Sequence, residues 1–226
     1  MKVLIIEDEK ELRRSVVTYL SHEGYICESA ANFSEAIDKI NDYEYDCILV
    51  DIMLPGGTGL DIVREIKRRN IESGVIIVSA NNSLEDRIEG LEIGSDDYLT
   101  KPFHLSELNA RIKSVIRRRS FQGSKEITFN EIRINPDSRQ VYVSDKEITF
   151  TGKEYDLLVF FIANKARVIP KDSIAEHLWG DHMDQADSYD FLYTHVKNMR
   201  KKLVQSGCKD YLSTVYGIGY KFQAHD

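Results

Sequence analysis

Three short apolar runs in the first eighty residues each end on a residue able to handle phosphate. Val3-Leu4-Ile5-Ile6 stops at Glu7-Asp8, Cys47-Ile48-Leu49-Val50 at Asp51 and Val75-Ile76-Ile77-Val78 at Ser79, and a Lys101-Pro102 pair follows. A single Asp after a strand is ordinarily a helix cap or a turn residue. Several acids at strand ends are a different matter. Two carboxylates about 5 Å apart repel by roughly 3 kcal/mol at an effective dielectric near 20. Gathering Glu7, Asp8 and Asp51 therefore calls for a hard, oxygen-liganded divalent ion, and Mg2+ suits the set best. The chemistry indicated is acceptance of a phosphoryl group by Asp51. The metal would grip the incoming oxygens while Lys101 supplies a second positive charge.

Positioning these groups needs parallel strands, because the ligands of an open parallel sheet lie outside its carboxyl ends. Uninterrupted apolar runs of this length, separated by helix-period segments, read as fully buried parallel strands. A strand around Tyr25 to Ser29 and another at Tyr98-Leu99-Thr100 bring the sheet to five. Between them, helices carry Leu12, Val16, Tyr19 and Leu20, then Ala36, Ile37 and Ile40, then Leu60, Val63 and Ile66. Ser83 caps a fourth helix with Leu84, Ile88 and Leu91, and a fifth runs from about Leu105 to Arg118. Residues 1–119 thus read as one α/β doubly wound domain with a five-stranded parallel sheet.

These residues resemble the CheY-like, flavodoxin-like receiver domain of bacterial response regulators, on Ile6-Glu7-Asp8, Val50-Asp51-Ile52-Met53-Leu54-Pro55, Val78-Ser79-Ala80 and Lys101-Pro102-Phe103. The resemblance implies that Asp51 is the phosphoacceptor and that Glu7, Asp8, Asp51 and the Met53 carbonyl hold the magnesium. It further implies that Ser79 swings to the phosphoryl group, that Tyr98 turns inward as Ser79 moves, and that Lys101-Pro102 is a cis peptide. The family usually has Thr where Ser79 stands. In the fourth and fifth helices and the last strand, Arg87, Asp96, Asp97, Glu107, Arg111 and Lys113 alternate in sign and resemble the family's dimer ion pairs. Arg13, on the first helix, is read as a bystander to that surface.

Residues 120–124 read as a tether, and the periodicity changes after them. In residues 125–226, β-like pieces at Ile127 to Phe129, Ile132 to Ile134, Gln140 to Val143 and Glu147 to Phe150 precede a helix with Leu157, Leu158, Phe161 and Ile162. Ile169-Pro170-Lys171-Asp172 leads into a second helix ending at Trp179-Gly180. A third spans about Ser188 to Val204, and Tyr211 to Phe222 form a hairpin. Three helices and a hairpin are the order of an α+β winged helix-turn-helix, whose recognition helix lies in the major groove. Leu192, Val196, Met199 and Leu203 form its inward stripe, and Lys197, Arg200, Lys201 and Lys202 point elsewhere. Glu147 to Glu154, Val168 to Gly180, His195 to Leu203 and Thr214 to Phe222 resemble the OmpR/PhoB-type effector domain. The candidate DNA contacts are His195, Lys197, Asn198, Arg200, Lys201, Thr214 and Tyr216. Asp190, Tyr193 and Tyr216 stand where the family commonly has Arg, Asp and Arg respectively.

The chain of 226 residues carries net charge −7, with 42% apolar and 30% charged residues, which excludes a disordered protein. Residues 125–226 hold 14 Lys and Arg against 15 Asp and Glu, net −1, so DNA affinity must come from a local face and from pairing two domains. The longest apolar stretch, Leu157 to Ala163, is seven residues, too short for a membrane span, and the four apolar residues before Glu7 are too few for a signal peptide. Three cysteines without metal-ligand spacing suit a reducing cytoplasm. The partners implied by the resemblance are a sensor histidine kinase, double-stranded promoter DNA at tandem half-sites and a second copy of the chain on activation. RNA polymerase is a further candidate, through the loop 180–187. The reading is a phosphorylation-activated transcription regulator without dedicated enzymatic activity. Two alternatives stand beside it: a phosphate-independent regulator on the same fold, and an aspartyl-phosphate phosphatase. The phosphatase would need an acid where Met53 sits.

Overall fold

Alternating polar and apolar stretches set the elements of this protein, for which a computed structural model describes residues 1–80, 84–121, 126–136, 138–180 and 189–224; for residues 84–86, 120 and 121 only the backbone is described. The chain divides into two compact units, Met1–Gly123 and Ser124–Asp226.

The first unit contains β1 (Lys2–Ile6), α1 (Lys10–His22), β2 (Ile26–Ala30), α2 (Phe33–Asp42), β3 (Cys47–Asp51), β4 (Met53–Leu54) and β5 (Gly57–Thr58). There follow α3 (Gly59–Arg68), β6 (Gly74–Ser79), α4 (Leu84–Glu92), β7 (Asp97–Thr100) and α5 (Leu105–Phe121). Five strands pair in the order β2-β1-β3-β6-β7, all parallel. Every residue of β1, β3 and β6 is buried, which is why these runs show no polar alternation. Val3, Ile5, Leu49, Ile76 and Val78 pack with α1 and α5 residues on one face. Leu4, Ile6, Ile48, Val50 and Ile77 pack with α2 and α3 residues on the other. The strand order reverses between β1 and β3, so a crevice opens above their carboxyl ends.

Two features of this unit carry no periodic signal. Lys2 is fully buried, with Nζ 2.7 Å from Glu28 Oε1 and lying over the rings of Tyr43 and Tyr45. Tyr45 also donates to Glu28 at 2.6 Å. α5 continues to Phe121, beyond the Arg118 end expected from the sequence. Burial pushes the Cys27 thiol up to about 11 and Cys208 to about 12, and raises Cys47 further, as befits packed, unreactive thiols.

The second unit opens with an antiparallel sheet of β8 (Ile127–Phe129), β9 (Ile132–Asn135), β10 (Gln140–Val143) and β11 (Lys146–Ile148), ordered β11-β10-β9-β8. The strand expected at Glu147 to Phe150 begins and ends earlier. Ser144 and Asp145 both take positive φ, a two-residue hairpin turn that pairs Val143 with Lys146. Then come α6 (Gly152–Ala163), β12 (Val168–Pro170), α7 (Lys171–Trp179), α8 (Asp190–Gln205), β13 (Leu212–Val215) and β14 (Gly219–Phe222). β12 was not expected as a strand. It pairs with β14 to make a three-stranded sheet β12-β14-β13, and Pro170 is tolerated because it ends an edge strand. Gly219 permits this approach, since a Cβ there would lie 1.9 Å from the Ile169 carbonyl oxygen. The expected cap Ser83, the helix start at Ser188, the RNA polymerase loop 180–187 apart from Gly180, and most of the tether lie outside the described residues. Among the described residues no helix is long and apolar enough to cross a membrane.

α6 begins with a capping box in which Thr151 and Glu154 serve each other's backbone amides. Glu154 is 3% exposed and receives Lys202 of α8 at 2.6 Å, while Lys202 also donates to the Thr149 carbonyl at 3.0 Å. Lys202, grouped by sequence with the outward cations, is thus a strut between α8 and α6. Burial alone would raise the Glu154 carboxyl, but Lys202 and the Thr151 amide outweigh it and hold its pKa below the usual range. A depressed carboxylate stabilises the fold above its unfolded pKa of about 4.3 and loses that contribution as pH falls through the folded value. Lys202→Met should therefore destabilise this unit by about 1–3 kcal/mol at neutral pH, with the deficit narrowing below about pH 4. Urea unfolding followed by Trp179, the single tryptophan, reads this unit alone. A deficit independent of pH would refute the assignment.

Candidate acidic site and candidate nucleic-acid face

Glu7 and Asp8 leave β1 and Asp51 ends β3, on the two sides of the point where the strand order reverses. Carboxylate oxygens of Glu7, Asp8 and Asp51 all lie within 4.8 Å of one another. Lys101 follows β7, its amide bonded to the Ser79 carbonyl at 2.8 Å and its bond to Pro102 cis. That placement aims its Nζ between the acids, 2.6 Å from Glu7 Oε2 and 2.7 Å from Asp51 Oδ2. Burial pushes the Glu7 carboxyl up; Lys101 opposes this and Asp51 adds to it, leaving the group raised. Burial would lower the Lys101 ammonium, but bonds to Asp51 and Glu7 win and raise it.

Other predicted residues surround this cluster. Met53 places its amide 3.2 Å from Asp51 Oδ1 and turns its side chain out, 73% exposed. Ser79 is fully buried at the end of β6, paired in register with Thr100, and the Tyr98 ring is buried in the core. Two supporting residues escaped the sequence reading. Gly59, first in α3, lies so close to Asp51 that a Cβ would sit 2.0 Å from the Asp51 carbonyl oxygen. Arg13, read as a bystander, donates to the carbonyls of Glu7 and Asp8 at 2.5 and 3.0 Å and holds the acidic loop. Its only sequence signal is its place one turn into the helix that follows the acids. An all-oxygen set of three carboxylates fits a hard divalent cation.

The alternating charges prove unequal. Arg111 of α5 is shared between Asp97 and Glu107, each at 2.9 Å. Asp96 accepts from Arg119 at 2.7 Å and from the Val75 amide at 2.8 Å, so this carboxylate is engaged with its own sheet rather than displayed. Lys113 stands 4.0 Å from Glu23, and Arg87 is exposed. Beside Arg87, Ile88 and Leu91 of α4 are about half exposed, an apolar strip that adds to the charged face.

In the second unit, Leu192, Val196, Met199 and Leu203 are buried as the inward stripe requires. Lys197, Asn198 and Lys201 are exposed on α8, and His195 lies half-buried, 5.6 Å from the Trp179 ring. Thr214 is exposed on β13 and Tyr216 is 99% exposed at the hairpin tip. A groove of about 420 Å³ runs between α8 and the hairpin, bordered by Tyr193, Lys197, Lys201 and Thr214. Arg200 also borders it, but two of its bonds, at 2.9 Å, go to Asp210.

Residues 3–113 match the family described as response regulator receiver domain, and residues 145–222 match transcriptional regulatory protein, C terminal. The phosphate regulon transcriptional regulatory protein PhoB of Klebsiella pneumoniae is 35% identical over 226 residues, covering 99% of this chain and 98% of its own. The transcriptional regulatory protein YkoG of Bacillus subtilis is 33% identical over 225 residues, covering 96% of each. Among solved structures, the receiver domain of Francisella response regulator 1452 is 39% identical with TM-score 0.50, covering 52% of this chain and 97% of its own. A receiver followed by a DNA-binding domain defines a transcriptional response regulator. This chain belongs to the OmpR/PhoB family of response regulators: it is a phosphorylation-activated, DNA-binding transcription regulator of a two-component system, not a dedicated enzyme. The receiver implies a phosphodonor kinase as partner and the second domain implies DNA.

Lys101→Met would leave Glu7 and Asp51 facing each other without their shared cation. In metal-free buffer this should cost about 3 kcal/mol, read as faster hydrogen exchange of the β3 amides, and added magnesium should restore part of the protection. Unchanged exchange without metal would show that the carboxylates do not depend on the lysine.

Proposed function

We propose that Asp51 is the phosphoacceptor of this regulator and that Glu7, Asp8, Asp51 and the Met53 carbonyl hold Mg2+ beside it. The observation that carries this reading is the convergence of three carboxylates and the Lys101 ammonium in the crevice where the strand order reverses. A bound divalent ion there would supply charge neutralisation for phosphoryl transfer. Asp51 Oδ attacks the phosphorus of the kinase's phosphohistidine; the P–N bond breaks, and an acyl phosphate forms with release of the imidazole. Lys101 offsets the added negative charge, and the Ser79 hydroxyl donates to a phosphoryl oxygen. Tyr98, which the resemblance has turning inward as Ser79 moves, is already buried here.

Residues 1–121 serve as receiver and 125–226 as effector, α5 having taken Ser120 and Phe121 from the expected 120–124 tether. On activation two receivers pair through the face bearing Arg87, Asp97, Glu107, Arg111 and Lys113, with Asp96 bracing it from behind. Ile88 and Leu91, half exposed beside Arg87, supply the apolar area such a face needs. Two effector domains then occupy tandem half-sites about 10–10.5 base pairs apart, with α8 in the major groove and Tyr216 at the wing. The 180–187 segment is the candidate contact for RNA polymerase, and the cytoplasm is the compartment where kinase, DNA and polymerase meet.

Acetyl phosphate with magnesium should add one phosphoryl group by intact mass, and Asp51→Asn should take up none. Equal labelling of that variant would overturn the assignment. Beryllofluoride should shift the full chain from monomer toward dimer in sedimentation, and Arg111→Glu should weaken the shift more than Arg14→Glu, at a position 71% exposed on α1. Arg13 is unsuitable as the reference because it holds the acidic loop. Identical sedimentation with and without the mimic would favour the phosphate-independent reading.

A further inference from the structure

The effector unit approaches a polyanion while carrying net charge −1, so each cation on its DNA face counts. On α8, Lys197 and Lys201 stand exposed, and Lys202 is spent on Glu154. Arg200 is the third cation of the groove, and it is occupied. Its Nε lies 2.9 Å from both Asp210 oxygens, and Nη2 makes a further contact to Oδ2. Asp210 stands just before Tyr211 at the root of the hairpin, where its Oδ1 also accepts the Leu212 amide at 3.4 Å. The carboxylate therefore sits in the groove with Lys197, Lys201 and Thr214.

An acid in this place does two things to an approaching phosphate. It cancels the Arg200 charge, and it adds its own repulsion. Both partners of the pair are more than two-fifths exposed, 43% and 42%, so water already screens their attraction. A DNA phosphate is thus able to take the guanidinium, but only in competition.

We infer that Asp210 is an affinity-setting residue of the DNA face: it holds the Arg200 guanidinium in the free protein, and a DNA phosphate must displace it. The consequence is a single effector domain in which Arg200 delivers less than a full phosphate contact, because part of the binding is lost to displacing Asp210. Occupancy then depends more strongly on two domains binding together. The inference rests on α8 and the hairpin being the DNA face.

The test uses the full chain and a random-sequence duplex several helical turns long, with affinity measured by fluorescence anisotropy between 50 and 200 mM salt. Asp210→Asn should bind more tightly at low salt. One added phosphate contact steepens the slope of log K against log salt by about 0.9, roughly a 3.5-fold greater loss of affinity across that window. In an Arg200→Ala background the Asp210→Asn gain should fall to the part that comes from removing the acid's own repulsion, because no guanidinium remains to release; an undiminished gain would overturn the inference. Unchanged Trp179 unfolding would show that the fold is intact. Weaker binding by Asp210→Asn would overturn the inference, since the acid would then be orienting Arg200 for DNA; so would an unchanged slope. If Lys201→Ala also leaves the slope of the parent chain unchanged, the DNA-face assignment itself fails.

Discussion

Three carboxylates brought within 4.8 Å of one another at the mouth of a parallel sheet repel strongly, and the receiver is organised around answering that repulsion. Lys101 answers it by standing within 2.7 Å of both Glu7 and Asp51. Its backbone is pinned to Ser79, so the residue that cancels charge at one strand end is tied to the hydroxyl at another. Arg13 holds the acidic loop by its carbonyls, and Gly59 lets α3 start against the Asp51 backbone. A change in charge at Asp51 is therefore felt by Lys101 and by the β6 and β7 ends together. That is the physical requirement for a phosphorylation signal to leave the site.

The same economy of charge governs the effector unit. Of four cations on α8, one ties α6 to α8 and one is held by Asp210. What remains free for DNA is small, which suits the proposed switching of DNA binding by pairing. An effector with a large diffuse positive field would bind DNA whether or not its receiver were phosphorylated.

On the receiver's α4–β7–α5 side the charges are likewise committed within one chain: Arg111 to Asp97 and Glu107, and Asp96 to Arg119 and Val75. Pairing through this face, as proposed, would exchange existing ion pairs rather than create them, so charge would contribute register more than strength. In such a pair the apolar strip of Ile88 and Leu91 would be the part of the face that gains from leaving water.

Much of the fold was legible because burial leaves a period in the chain. Buried parallel strands are continuous apolar runs, amphipathic helices repeat every three or four residues, and the ends of those runs placed Glu7, Asp8, Asp51 and Ser79 at one edge. What the period cannot express is which distant group a side chain meets. It assigned Lys202 to an outward face without Glu154, showed Arg200 without Asp210, and passed over Arg13 beside the acids and buried Lys2 against Glu28. β12 was hidden for a related reason: three residues ending in proline carry too little pattern, and only the hairpin beside them makes them a strand. The sequence by itself determined the architecture and the chemical groups at the strand ends, since both follow from local hydrophobic order. Only the tertiary structure decided which charges are free and which are spent, because that depends on distances between residues the chain order keeps far apart.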